Sequence, residues 1–213
     1  MTNKIHTVIF DLDGTLSDSG ILTLAAMEYA APKFGLPAPA MEDIKKATGY
    51  PGPDFYYILY PDYPQDRLRE VDRFVEQQEA SLLPMVKDSL LFAGCRELIS
   101  TLKQKGIRLY IASTGAHDHV YGILNATGII DFFDKIECGR PNKLDMLGEM
   151  TADGEKSGYI MVGDMMKDSE GARANGILSV GACYGYCRRE LGEFDMYIDT
   201  PAELLDVINE LEK

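Results

Sequence analysis

The chain has 213 residues, 46% of them hydrophobic and 26% charged, which is the make-up of a folded globular protein with a sizeable core. Its formal net charge of -13 repels phosphate backbones, so nucleic acid is not an expected partner. No apolar run approaches the roughly 20 residues of a bilayer span and no charged-then-apolar leader opens the chain, so no membrane partner and a cytoplasmic location are expected. Cys95, Cys138, Cys183 and Cys187 have neither CxxC nor zinc-ladder spacing and are expected as reduced thiols.

In chain order, His6–Phe10 is an apolar run rich in β-branched residues and reads as a buried strand. It stops at Asp11-Leu12-Asp13-Gly14-Thr15. From there to about Lys87 the pattern is helical. Ile21–Ala30 suits a helix ended by Pro32 or by Gly35-Leu36-Pro37, and Met41–Thr48 suits a second. Gly49-Tyr50-Pro51-Gly52-Pro53 reads as a rigid loop, and Asp66–Leu83 as a long amphipathic helix stopped by Pro84.

After Asp88 helices and strands alternate. The expected helices are Gly94–Lys105, Val120–Thr127, Lys143–Met150, Ser169–Asn175 and Ala202–Leu211. The expected strands are Ile107–Ala112, Ile136–Cys138, Gly158–Val162, Leu178–Val180 and Met196–Ile198. Such alternation implies right-handed crossovers and a doubly wound, mostly parallel sheet, an α/β fold, with a helical insertion after the first strand.

Three strand ends carry chemistry. Asp11 and Asp13 lie two apart, and an extended chain would put both on one face. Paired carboxylates repel unless a cation or a proton joins them, and magnesium favours sites of one or two carboxylates plus substrate phosphate. Taken alone, this pattern is equally a solvated turn with capping aspartates. The second strand ends in Ser113-Thr114-Gly115, a source of O–H and N–H donors for an oxyanion. The strand at 158–162 runs into Gly163-Asp164 and on to Asp168, which could complete a metal site. Lys143 opens a helix, where the macrodipole disfavours a cation unless an anion or carboxylate cluster faces it.

Taken in order, Asp11-Leu12-Asp13-Gly14-Thr15-Leu16, Ser113, Lys143 and Gly163-Asp164 through Asp168 resemble the four motifs of the haloacid dehalogenase-like superfamily. The segments Gly171–Ile177 and Gly181–Tyr186 resemble its phosphoglycolate phosphatase-like branch. The resemblance implies a Rossmann-like core over residues 1–16 and 89–213 and a small helical cap over 17–88. It implies a phosphatase with Asp11 as nucleophile and Asp13 as general acid and base, while Ser113 and Lys143 bind the phosphoryl oxygens. Gly14, Thr15, Thr114 and Gly115 are expected beside the substrate. Mg2+ is the implied cofactor, held by Asp11, the backbone carbonyl of Asp13, Asp164 and Asp168, the last as ligand or support. Many relatives carry Lys-Pro at the third motif. Here Arg140-Pro141 stands there, which makes Arg140 the reserve for Lys143.

A small phosphorylated metabolite is the expected partner, with phosphoglycolate or a sugar phosphate leading, and the protein is expected as a monomer or homodimer. A β-phosphoglucomutase-type mutase is the first alternative. A phosphonatase, which would need Lys45 or Lys46 of the cap, and a non-enzymatic phospho-aspartate signalling domain are further ones. Tyr50, Tyr56, Tyr57 and Tyr60 either line the pocket or pack the cap. His117 and Asp118 either reach substrate or simply start a helix.

Overall fold

In the computed structural model, which describes residues 4–50, 52–186 and 193–213, Thr7–Phe10 (β1) is buried on both faces. Four helices follow it: Gly20–Phe34 (α1), Met41–Ala47 (α2), Pro53–Leu59 (α3) and Gln65–Val86 (α4). The alternating part then runs Cys95–Gln104 (α5), Arg108–Ala112 (β2), His117–Ala126 (α6), Lys135–Glu137 (β3) and Lys143–Met150 (α7). It ends with Tyr159–Gly163 (β4), Met166–Asn175 (α8), Leu178–Ala182 (β5), Met196–Ile198 (β6) and Glu203–Leu211 (α9).

The six strands form one sheet in the order β3-β2-β1-β4-β5-β6, and every neighbouring pair is parallel. Strand alternation feeds both faces. Val8 and Phe10 join Leu98, Ile99, Ile123 and Leu204 on one side. Ile9 joins Leu147, Met150 and Ala172, from α7 and α8, on the other. This is the doubly wound α/β fold expected. The inserted helices gather around a cluster of their own, with Met27 and Ala30 of α1, Tyr56 of α3 and Leu68, Val71 and Val75 of α4. Among the described residues, no helix is long and apolar enough to cross a membrane. Cys95, Cys138 and Cys183 are free thiols, and Cys187 and Pro51 lie outside the described residues.

Several boundaries differ from expectation. Of the two stops expected for α1, Pro32 sits inside its last turn and Gly35 ends it, taking the left-handed conformation and donating its N–H to the Ala31 carbonyl. Helix α4 likewise passes Pro84 and runs to Val86. Helix α3 was not anticipated. It is seven residues long, too short for periodicity to show, although Pro53 in its first turn is a start signal. Helices α6 and α8 each begin three residues early, because their first turns are polar and carry the site.

Candidate active site

The chain begins at the centre of the sheet, winds outward through β2 and β3, and returns to β4 on the other side of β1. Ligands of open α/β sheets bind at such a reversal, beyond the carboxyl ends of the strands. Asp11 follows β1 there and Asp164 follows β4, with the Asp11 N–H donating to the Val162 carbonyl at 2.9 Å. Asp11 continues the alternation that points Ile9 toward α7 and α8, and both helices answer it. Lys143, the first residue of α7, places Nζ 2.7 Å from Asp11 Oδ2 and also bonds Asp168 Oδ1. The Asn142 side chain caps α7 by accepting the Leu144 N–H at 2.9 Å. Asp11, Lys143, Asp164 and Asp168 are each no more than 5% exposed.

Asp168 is fully used: Oδ1 meets Lys143, and Oδ2 accepts the N–H groups of Asp164 at 3.2 Å and Met165 at 3.0 Å. Asp164 is only half used. The Thr15 hydroxyl donates to its Oδ1 at 2.9 Å, while the buried Oδ2 has no partner among the described residues. A side chain in place of Gly14, whose φ is 79°, would put Cβ 2.4 Å from that oxygen. One oxygen each from Asp11, Asp164 and Asp168 lies within 4.8 Å of the others. Three buried carboxylates thus face a single ammonium, and a buried acceptor stands orphaned beside them. This donor set fits a hard divalent cation that prefers oxygen ligands.

The electrostatics say the same. Burial, opposed by the Lys143 charge, pushes Asp11 up to about 7. Burial and then the Asp11 charge raise Asp164 well above the usual carboxylate range. Burial alone would lower Lys143, but the charges of Asp11 and Asp168 outweigh it and raise it. The cluster lacks positive charge.

Asp13 does not share the Asp11 face. The chain leaves the extended form at Leu12, whose carbonyl accepts the N–H groups of Leu16 at 2.9 Å and Ser17 at 2.8 Å. The Asp13 side chain turns instead to His119, with Nε2 2.9 Å from Oδ1, and is not among the three clustered carboxylates. The far ring nitrogen, Nδ1, lies 3.5 Å from Glu79 of α4. Burial would raise Asp13, yet the His119 charge and hydrogen bonds from His119 and Ser19 hold it low. His119 and Glu79 were missed in the sequence. The available signal was helical spacing: His119 stands four residues before the buried Ile123 of α6, whereas His117 and Asp118 are exposed.

The description of haloacid dehalogenase-like hydrolases matches residues 8–182. The chain belongs to that family. It is 27% identical to a phosphoglycolate phosphatase of Synechococcus elongatus over 97% of this chain and 99% of the relative. It is 30% identical to the phosphoglycolate phosphatase of Neisseria gonorrhoeae over 85% of this chain and 81% of that one. Among solved structures it resembles a haloacid dehalogenase-like hydrolase of Streptococcus pneumoniae, with a TM-score of 0.81, 26% identity and coverage of 97% and 99%.

In this haloacid dehalogenase-like hydrolase the remaining expected residues have defined places. Ser113 is buried, its Oγ accepts the Gly115 N–H at 3.0 Å, and a Cβ on Gly115 would lie 3.3 Å from Asp13 Oδ2. The end of β2 at Ser113–Gly115 and Asp13 are therefore neighbours. Of the residues expected beside substrate, Thr114 and Gly115 line a cavity next to Asp13; the Thr114 hydroxyl donates to the Gly49 carbonyl at 3.1 Å, and the Thr15 hydroxyl donates to Asp164. Lys167 Nζ reaches the same carbonyl at 3.0 Å, so the loop at Gly49 rests on the sheet end. Arg140 is engaged away from the site, forking onto Glu149 at 2.7 and 3.0 Å. Lys46 pairs with Asp43 at the surface, and Lys45 lies 4.9 Å over the Tyr186 ring. Tyr56 and Tyr60 are buried in the inserted helices, and His117 stacks on Tyr121.

Proposed function

We propose that this hydrolase is a Mg2+-dependent phosphatase that cleaves a small phosphomonoester through a phosphoryl group carried by Asp11. The reading rests above all on one observation, the buried meeting of Asp11, Lys143, Asp164 and Asp168 around an unpartnered Asp164 oxygen. Two phosphoglycolate phosphatases among its relatives support phosphate-ester chemistry. Residues 1–16 and 89–213 act as the catalytic core in this reading, and 17–88 as the cap.

Mg2+ bound by Asp11, Asp164 and the Asp13 backbone carbonyl would supply positive charge against the phosphoryl oxygens. Asp168 supports the site from behind, orienting Lys143 and the N–H groups at 164 and 165. An Asp11 carboxylate oxygen attacks phosphorus, and the bond from phosphorus to the ester oxygen breaks. The proton shared by His119 and Asp13, which rests on the imidazole while Asp13 is held low, passes through the Asp13 carboxyl to the departing alkoxide. Water then attacks the phosphoryl group and passes a proton back to Asp13, which releases phosphate and restores the Asp11 carboxylate. Ser113 and Lys143 bind the equatorial oxygens throughout.

The test is hydrolysis of p-nitrophenyl phosphate. Turnover is expected with Mg2+ present, is expected to stop on chelation and to return when Mg2+ is restored. Turnover that persists unchanged in excess chelator would sink the metal assignment.

A further inference from the structure

Beside Asp13, between the strand ends and the inserted helices, lies a cavity of about 120 Å3. In the phosphatase reading this is where the alcohol half of the ester sits, since Asp13 must reach the ester oxygen. Its wall is set by α4. Asp72, Glu76 and Glu79 are spaced i, i+4 and i+7, so one helix face presents three carboxylates to the cavity.

These carboxylates are not equally satisfied. Glu79 accepts the Thr23 hydroxyl at 2.7 Å and lies 3.5 Å from His119. Asp72 and Glu76 accept no hydrogen bond and form no ion pair among the described residues. Among the described residues the lining holds four carboxylates, Asp13 included, one imidazole, and neither lysine nor arginine. Lys167 touches the Gly49 carbonyl but is not part of the lining.

A second, independent feature points the same way. Tyr56 is 4% exposed and lines the cavity, yet its hydroxyl has no hydrogen-bond partner among the described residues. Burial raises this phenol first, and the charges of Glu79, Asp72 and Glu76 raise it further, which places it among those carboxylates. The ring is buried while the hydroxyl opens into the cavity, where a ligand can supply the partner that the described residues do not.

We infer that the alcohol half of the substrate carries a positive charge, so that the enzyme takes phosphate esters of short amino alcohols. This rests on the phosphatase reading. An alkylammonium has three donors and one charge for Asp72 and Glu76, with the Tyr56 hydroxyl left as an acceptor. The rings of Phe55 and Tyr56 on the same wall favour a cation further. A carboxylate-bearing alcohol such as glycolate would add negative charge to a partly enclosed acidic space, and repulsion would oppose it. The chain's net charge of -13 favours approach of the less anionic ester as well.

The experiment compares kcat/KM for 2-aminoethyl phosphate, glycerol phosphate and phosphoglycolate with Mg2+, using p-nitrophenyl phosphate as reference. The amino ester is expected to exceed phosphoglycolate by about tenfold or more, and to exceed glycerol phosphate too. The double variant Asp72→Asn/Glu76→Gln, and Glu76→Gln alone in case the double variant folds poorly, are expected to narrow that ratio several-fold. Equal or better turnover of glycerol phosphate or phosphoglycolate overturns the inference, as does a ratio untouched by folded variants. In either case hydrolysis of p-nitrophenyl phosphate would leave the phosphatase reading standing. Failure to hydrolyse any of the four esters would remove both.

Discussion

His119 Nε2 sits 2.9 Å from Asp13 Oδ1, and its other ring nitrogen faces Glu79 at 3.5 Å. The proposed acid–base residue of the core is thereby tied through one imidazole to a helix of the insertion. In the proposed mechanism His119 would be a positioning residue that orients the Asp13 carboxyl. His119→Ala is expected to lower kcat by about 10- to 100-fold while changing KM little, a smaller loss than Asp13→Ala. The acidic limb of the kcat profile should move as well. A variant with wild-type kcat and an unmoved pH profile would show that the contact serves packing only.

Asp11→Asn removes the attacking oxygen while keeping the size of the side chain. Turnover of p-nitrophenyl phosphate is expected to fall below about a hundredth of wild type. Acid quenching of the wild type with a labelled ester should trap label on the protein, and the variant should trap none. Residual turnover above that level means that Asp11 is not the nucleophile.

Among the described residues, Lys143 is the one cation paired with the three clustered buried carboxylates. Lys143→Met is expected to destabilise the metal-free protein by about 3–5 kcal/mol in urea unfolding, because it strands Asp11 and Asp168 without their partner. Mg2+ should then raise the variant's Tm more than it raises that of wild type, since the ion replaces part of the lost charge. An equal Mg2+ response in both proteins would argue against an ion at this cluster.

Asp72 is pushed up to about 6 from its ordinary value of 3.8, chiefly by burial and then by Glu76 and Glu79. The folded state therefore holds this proton more tightly than the unfolded state. The associated stability is full below about pH 4 and is lost as pH rises through about 6. Asp72→Asn should match wild type near pH 4 and exceed it near pH 7.5 in thermal unfolding. A variant that is less stable than wild type at the higher pH would show that Asp72 has a compensating partner.

Much of the scaffold was legible because its signals are local. An unbroken apolar run marks a strand buried on both faces, as in Thr7–Phe10 and Tyr159–Gly163, and alternation with helices implies parallel pairing. The inserted helices were legible as helical, but Pro53–Leu59 escaped because seven residues do not show a period. Pro32 and Pro84 were weighed as stops, yet each fits within a last turn.

The site divides in the same way. The sequence by itself determined which oxygens stand at or just past strand ends: Asp11 and Asp164 follow apolar runs, Asp168 comes four residues after Asp164, and Lys143 at a helix start calls for nearby negative charge. Only the tertiary structure decided how these are shared. It turned Asp13 away from Asp11 at the Leu12 bend, spent both Asp168 oxygens, left one of Asp164 open, and set Arg140 on Glu149. It also brought Glu79, Asp72 and His119 to one cavity from helices far apart in the chain. The physical reason is range. Burial and periodicity act over a few residues, whereas a carboxylate's partner is chosen by whatever the fold packs against it, and no spacing in the sequence records that choice.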